Sequence, residues 1–103
     1  MSNEWNINDI EGEEILKKLL IKSINIEGVC IDKLPILLKK EAKNLDIKIT
    51  KKGKNRNINN YIKIKYGSIN NLLVKFNHIF YRKGNLLILS KNYEKESKEY
   101  EFV

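Results

Sequence analysis

Residues 61–90, YIKIKYGSINNLLVKFNHIFYRKGNLLILS, constrain the fold most, because they run without a break as a capped helix followed by a tight β-hairpin. After Gly67, the Ser68 hydroxyl is placed to cap a helix whose Ile69, Leu72, Leu73 and Phe76 fall at the i, i+3, i+4, i+7 spacing of one buried stripe. Asn70, Asn71, Lys75 and Asn77 are left on the other side. Two short apolar runs follow, Ile79-Phe80-Tyr81 and Leu86-Leu87-Ile88-Leu89, separated by Arg82-Lys83-Gly84-Asn85. The Gly-Asn pair suits the positive-φ positions of a hairpin turn, so Arg82 and Lys83 are expected at its tip.

The chain has 103 residues, enough for one domain with a small core. Residues 1–10 show no sustained period and read as a flexible acidic arm, with Trp5 free either to dock on the domain or to pack on a partner. From Glu11 to about Ile24, Ile15, Leu16, Leu19 and Leu20 recur at helical spacing. Residues 25–28 form a turn, and Val29-Cys30-Ile31 makes a short strand. Asp32 is expected to cap a second helix, since Pro35 is tolerated only in a first turn and Leu34, Leu37, Leu38, Ala42 and Leu45 recur after it. Its Lys33, Lys39, Lys40 and Lys43 face outward.

Ile47 and Ile49 either extend a strand or pin the connection to the core. Residues 51–57 lack any apolar side chain and carry Lys51, Lys52, Lys54 and Arg56, which predicts a solvated loop. The stretch 58–66 fits a short helix better than a strand, because Gly67 then supplies the positive φ that ends it. Residues 91–103 read as a tail.

The charge of +7 is unevenly placed. Its bulk value is weak evidence, because 18 Lys against 2 Arg, with 16 Ile and 14 Asn, is what an AT-rich coding sequence produces. Its distribution says more: residues 1–14 hold five acids and no base, whereas residues 15–90 hold 17 bases and 4 acids. A basic middle between acidic ends points to a polyanionic partner. One cysteine and one histidine offer no metal-ligand set, and Cys30 between Val29 and Ile31 reads as a small buried hydrophobe. No nucleophile–base pair or shared carboxylate pair can be assembled, and the five glycines form no phosphate-binding loop, so neither an enzyme nor a cofactor or metal is expected. His78 reads as a turn or surface residue. With no apolar run of membrane-spanning length and no signal peptide, an intracellular, cytoplasmic protein without membrane contact is expected.

The order helix, strand, helix, basic loop, helix, helix, hairpin predicts a mainly helical α+β fold, a winged helix-turn-helix with a C-terminal β-hairpin wing over residues 11–90. Two stretches are more particular: GVCIDKLP, residues 28–35, and YGSINNLL, residues 66–73, running on to Phe76, Ile79-Phe80 and Gly84-Asn85-Leu86. These resemble the LOTUS (OST-HTH) family, with its Gly, its Leu-Pro start of a helix and its Gly-x-x-x-Leu-Leu helix leading to a Phe and a Gly-bearing wing. The resemblance implies a small RNA-associated domain, some members binding G-rich RNA and others docking a DEAD-box helicase. The connection over residues 46–66 is longer than the family's, and residues 91–103 show no clear amphipathic counterpart of the helicase-docking extension; both departures bear more against docking than against RNA.

An RNA-binding module is therefore expected, holding single-stranded or structured RNA through Lys51, Lys52, Lys54 and Arg56, then Lys63 and Lys65, Lys75, and the wing residues Arg82, Lys83 and Tyr81. Lys39 and Lys40 on the second helix are expected to point away from that face. Tyr61 and Tyr66 are open to stacking or core roles. The alternatives are a protein-interaction or structural subunit of a ribonucleoprotein, suited by the acidic ends with Trp5, Tyr100 and Phe102, and a double-stranded DNA binder. The last is disfavoured by an exposed face on residues 68–77 with no Arg for guanine, although Asn70 and Asn71 suit adenine.

Overall fold

A computed structural model of the chain describes residues 4–24 and 27–93. They form a small α+β unit of four α-helices and two small antiparallel sheets, with about half of the chain helical. Helix α1 spans Asp9–Ser23, strand β1 Val29–Cys30 and helix α2 Leu34–Asn44. Strands β2 (Ile49–Lys51) and β3 (Lys54–Arg56) precede α3 (Ile58–Tyr66) and α4 (Ile69–Lys75), and β4 (Phe80–Lys83) and β5 (Leu86–Leu89) follow.

The N-terminal segment departs from the loose arm expected of it. Helix α1 begins at Asp9 rather than Glu11, because the Asn8 side chain accepts the Glu11 N–H at 2.8 Å. Ahead of it Trp5 and Ile7 are buried in the core. Asn6 bonds the next sheet with both its backbone and its side chain: its N–H reaches the Thr50 carbonyl at 3.0 Å, its Nδ2 donates to the Lys48 carbonyl at 3.0 Å, and its Oδ1 accepts the Thr50 N–H at 2.9 Å. Trp5 thus docks on the domain, its ring edge-on to Tyr61 with centroids 4.8 Å apart. Gly12 on α1 is required by that packing, since a Cβ there would lie 2.1 Å from the Tyr61 hydroxyl oxygen.

Asp32 does not cap α2. The Ile31 N–H is tied to the Asn85 carbonyl at 2.9 Å, and residues Ile31–Lys33 form a single 3₁₀ turn, so the α-helix starts one turn later at Leu34 with Pro35 in its first turn. The solvated loop expected over residues 51–57 is also replaced, by the β2–β3 hairpin. Lys51 pairs with Lys54 across a two-residue turn in which Lys52 (φ 53°) and Gly53 (φ 78°) both take the left-handed conformation of a type I′ turn.

The remaining elements follow the sequence closely. Gly67 (φ 90°) ends α3, and the Ser68 hydroxyl accepts the Asn71 N–H at 3.1 Å to open α4. Leu72, Leu73 and Phe76 are buried, with Ile69 packed beside them. The C-terminal hairpin pairs Phe80 with Leu89 and Lys83 with Leu86, and β1 joins the other side of β5, giving the order β1-β5-β4. Its turn is tighter than expected: only Gly84 (φ 62°) takes positive φ, as the first central residue of a type II′ turn does. Arg82 and Lys83 therefore lie within strand β4, on alternate faces, and not together at a tip. Lys91–Tyr93 adds a 3₁₀ turn whose Tyr93 packs on the core, while the tail calls on Tyr100 and Phe102 fall outside the described residues. Among the described residues no helix is long and apolar enough to cross a membrane.

Candidate nucleic-acid interface

The expected RNA-contacting residues do not converge on one face. Four of the lysines are engaged by acids from the N-terminal segment and α1. Glu4 lies 3.9 Å from Lys51 and 3.3 Å from Lys52, Asp9 binds Lys65, and Glu13 binds Lys75 at 2.9 Å. The Lys51 ammonium also sits 5.3 Å from the Trp5 ring centroid, a cation–π contact on a buried indole. Hydrogen bonding to the Asp9 carboxylate holds the Lys65 pKa above the ordinary lysine value. The sequence did show the acids gathered at residues 1–14; it did not show that α1 would lay them beside α3 and α4.

Lys54, Arg56, Lys63, Arg82 and Lys83 are exposed and have no ion-pair partner among the described residues. They border different surfaces. Arg82 lines a groove of about 330 Å³ between α4 and β4, together with Asn70, Val74, Asn77 and Tyr81. Lys63 lines a more apolar groove with Pro35, Ile62 and Ile69. Arg56 lines a third, with Lys39 and Lys43 of α2, so the second helix does not point away from every expected contact.

The α4–β4 groove has the chemistry of a base-binding cleft. Asn70, Val74 and Asn77 recur at i, i+4, i+7 along α4, bordering the core stripe on the side that faces the hairpin. Strand β4 is an edge strand, so side chains from both its faces border the groove. Tyr81 is 54% exposed there and Val74 70% exposed. An open aromatic face, two free amides and a guanidinium can stack on a base, bond its edge and hold its phosphate.

The other tyrosines have different roles. Tyr61 is fully buried against Trp5, and Tyr66 is half-buried beside the core, its pKa pushed up to about 12 chiefly by burial. Burial raises the Tyr61 pKa as well. Asn71, one of the two expected adenine readers, donates its Nδ2 to the Tyr66 carbonyl at 2.8 Å and serves the α3–α4 turn. Asn77 and Val74 were the missed members, and their signal was the stripe Asn70-Val74-Asn77 adjoining the apolar one. His78 is exposed and stands 6.1 Å from the Tyr93 ring, centroid to centroid. No group of three or more His, Cys, Asp or Glu among the described residues could hold a metal ion. No family model matches the chain, and neither a curated protein nor a solved structure matches it.

Proposed function

We propose that the chain is a winged helix-turn-helix module that binds single-stranded RNA in the groove between α4 and the β4–β5 hairpin. Supporting the winged-helix assignment are the sharp Gly67 turn between α3 and α4, the hairpin that follows, and the pairing of β1 with β5. The β2–β3 hairpin is then an insertion ahead of the helix pair. The observation that carries the RNA reading is the exposed Tyr81 ring beside Asn70, Asn77 and Arg82. Double-stranded DNA is a poorer fit, because α4 has only seven residues, its one lysine is engaged by Glu13, and it carries no arginine.

Fluorescence anisotropy with a labelled single-stranded RNA and a DNA duplex of equal length tests this. Single-stranded RNA should bind more tightly, and Tyr81→Ala should weaken it roughly 5- to 150-fold, the equivalent of about 1–3 kcal/mol for one stacked base. Equal binding of the duplex, or an unchanged affinity for Tyr81→Ala, would overturn the proposal. The second reading is a protein-interaction subunit of a ribonucleoprotein. It is favoured by the apolar groove of Pro35, Ile62 and Ile69, and a stoichiometric protein partner that survives nuclease treatment would support it.

A further inference from the structure

The groove that Arg56 shares with α2 is a second concentration of positive charge, distinct in its residues from the α4–β4 cleft. Its volume is about 260 Å³, with Lys39, Lys43 and Arg56 at the rim and Ile47 and Ile49 among the residues beneath. Lys39 and Lys43 lie one turn apart on α2, so their side chains emerge on the same side. Arg56 ends β3, and the next residue, Asn57, caps α3 by accepting the Asn60 N–H at 2.8 Å. The partial positive charge of a nine-residue helix start therefore adjoins the three cations.

Intramolecular acids leave this charge in place. Glu4, Asp9, Glu13 and Glu41 each hold lysines elsewhere, whereas Lys39, Lys43 and Arg56 have no ion pair among the described residues. Asp46, the acid lining the groove, pairs with none of them. Three like charges around a concavity repel one another, and an anion entering it relieves that repulsion. The apolar residues beneath lower the local polarisability, which strengthens the attraction.

Resting on the RNA reading above, we infer that this groove holds backbone phosphate of the bound single strand, with the Arg56 guanidinium as a two-pronged donor and Lys39 and Lys43 as flanking point charges. The site supplies affinity without reading sequence. It extends the interface onto α2, which the sequence had placed outside it.

A salt series of RNA affinities tests the inference with three proteins: wild type, Lys39→Gln/Lys43→Gln/Arg56→Gln, and a charge-matched control, Lys33→Gln/Lys40→Gln/Lys48→Gln. All six positions are exposed, so neither variant removes core packing. The groove variant should lower the slope of log affinity against log salt by about 0.7 for each phosphate released, and the control should leave it near wild type. Equal losses in the two variants, showing diffuse attraction only, would overturn the inference, and so would an unchanged slope in the groove variant. Wild-type RNA binding that Tyr81→Ala weakens and the groove variant does not would refute this site alone. No wild-type binding would refute the RNA reading and the site with it.

Discussion

Replacing Trp5 by alanine is expected to cost this chain a large part of its stability, although the residue stands only a few positions from the N-terminus. The indole is 8% exposed, meets the Tyr61 ring edge-on at 4.8 Å and carries the Lys51 ammonium over its face at 5.3 Å. Truncating a buried aromatic of this size costs about 3–5 kcal/mol, a figure that includes the ring pairing. The Asn6 hydrogen bonds to Lys48 and Thr50 do not involve the indole and keep the segment in place, so the cavity cannot close fully. A domain of this length has about 5–15 kcal/mol in total, and the loss therefore takes from a fifth to nearly all of it. Urea unfolding followed by far-ultraviolet circular dichroism measures the change, since the variant lacks the sole tryptophan. A loss below about 1 kcal/mol at an unchanged m-value would refute the packing and return residues 4–8 to the role of a loose arm.

Leu73→Asp should unfold the domain, because an unpaired charge at a position only 3% exposed exceeds a stability of about 5 kcal/mol; an unchanged thermal melt would remove Leu73 from the core. Asp9→Asn with Glu13→Gln should change stability by no more than about 1 kcal/mol, since both ion pairs are solvent-exposed, yet should tighten RNA binding at low salt by releasing Lys65 and Lys75; weaker binding would contradict this. Alkaline pH should destabilise the fold in a defined window. Burial raises the folded-state pKa of Tyr66 from 10.0 to about 12, so the neutral phenol is favoured in the folded protein. The associated stability is whole below the unfolded pKa and is lost as pH climbs through the folded one, and urea midpoints that stay level from about pH 9 to about pH 11 would contradict it.

The parts of the fold legible in the sequence are those fixed by neighbours in the chain. Ser68, Gly67 and the Ile69/Leu72/Leu73/Phe76 stripe define α4 by local hydrogen bonding and period, and Gly84-Asn85 defines the hairpin by local φ. The β2–β3 hairpin escaped because Lys54, Asn55 and Arg56 are all exposed and so carry no alternation; its one local signal was the Lys52-Gly53 pair. Asp32 misled because the competing bond comes from Asn85, far along the chain. The candidate site suffered most from such distant contacts. Neither the neutralisation of Lys65 and Lys75 by α1 nor the meeting of Arg56 with Lys39 has a local signature.

The central claim is that single-stranded RNA enters the α4–β4 groove, and ¹H–¹⁵N nuclear magnetic resonance during titration with a single-stranded oligonucleotide addresses it most directly. The side-chain amides of Asn70 and Asn77 and the backbone amides of Tyr81 and Arg82 should shift together and saturate at one affinity. The Asn71 side-chain amide, bonded to the Tyr66 carbonyl, should move least of the three on α4 and its end. Shifts that leave Asn70, Asn77 and Tyr81 unmoved while the lysines respond would contradict the claim and reduce the interaction to general charge attraction.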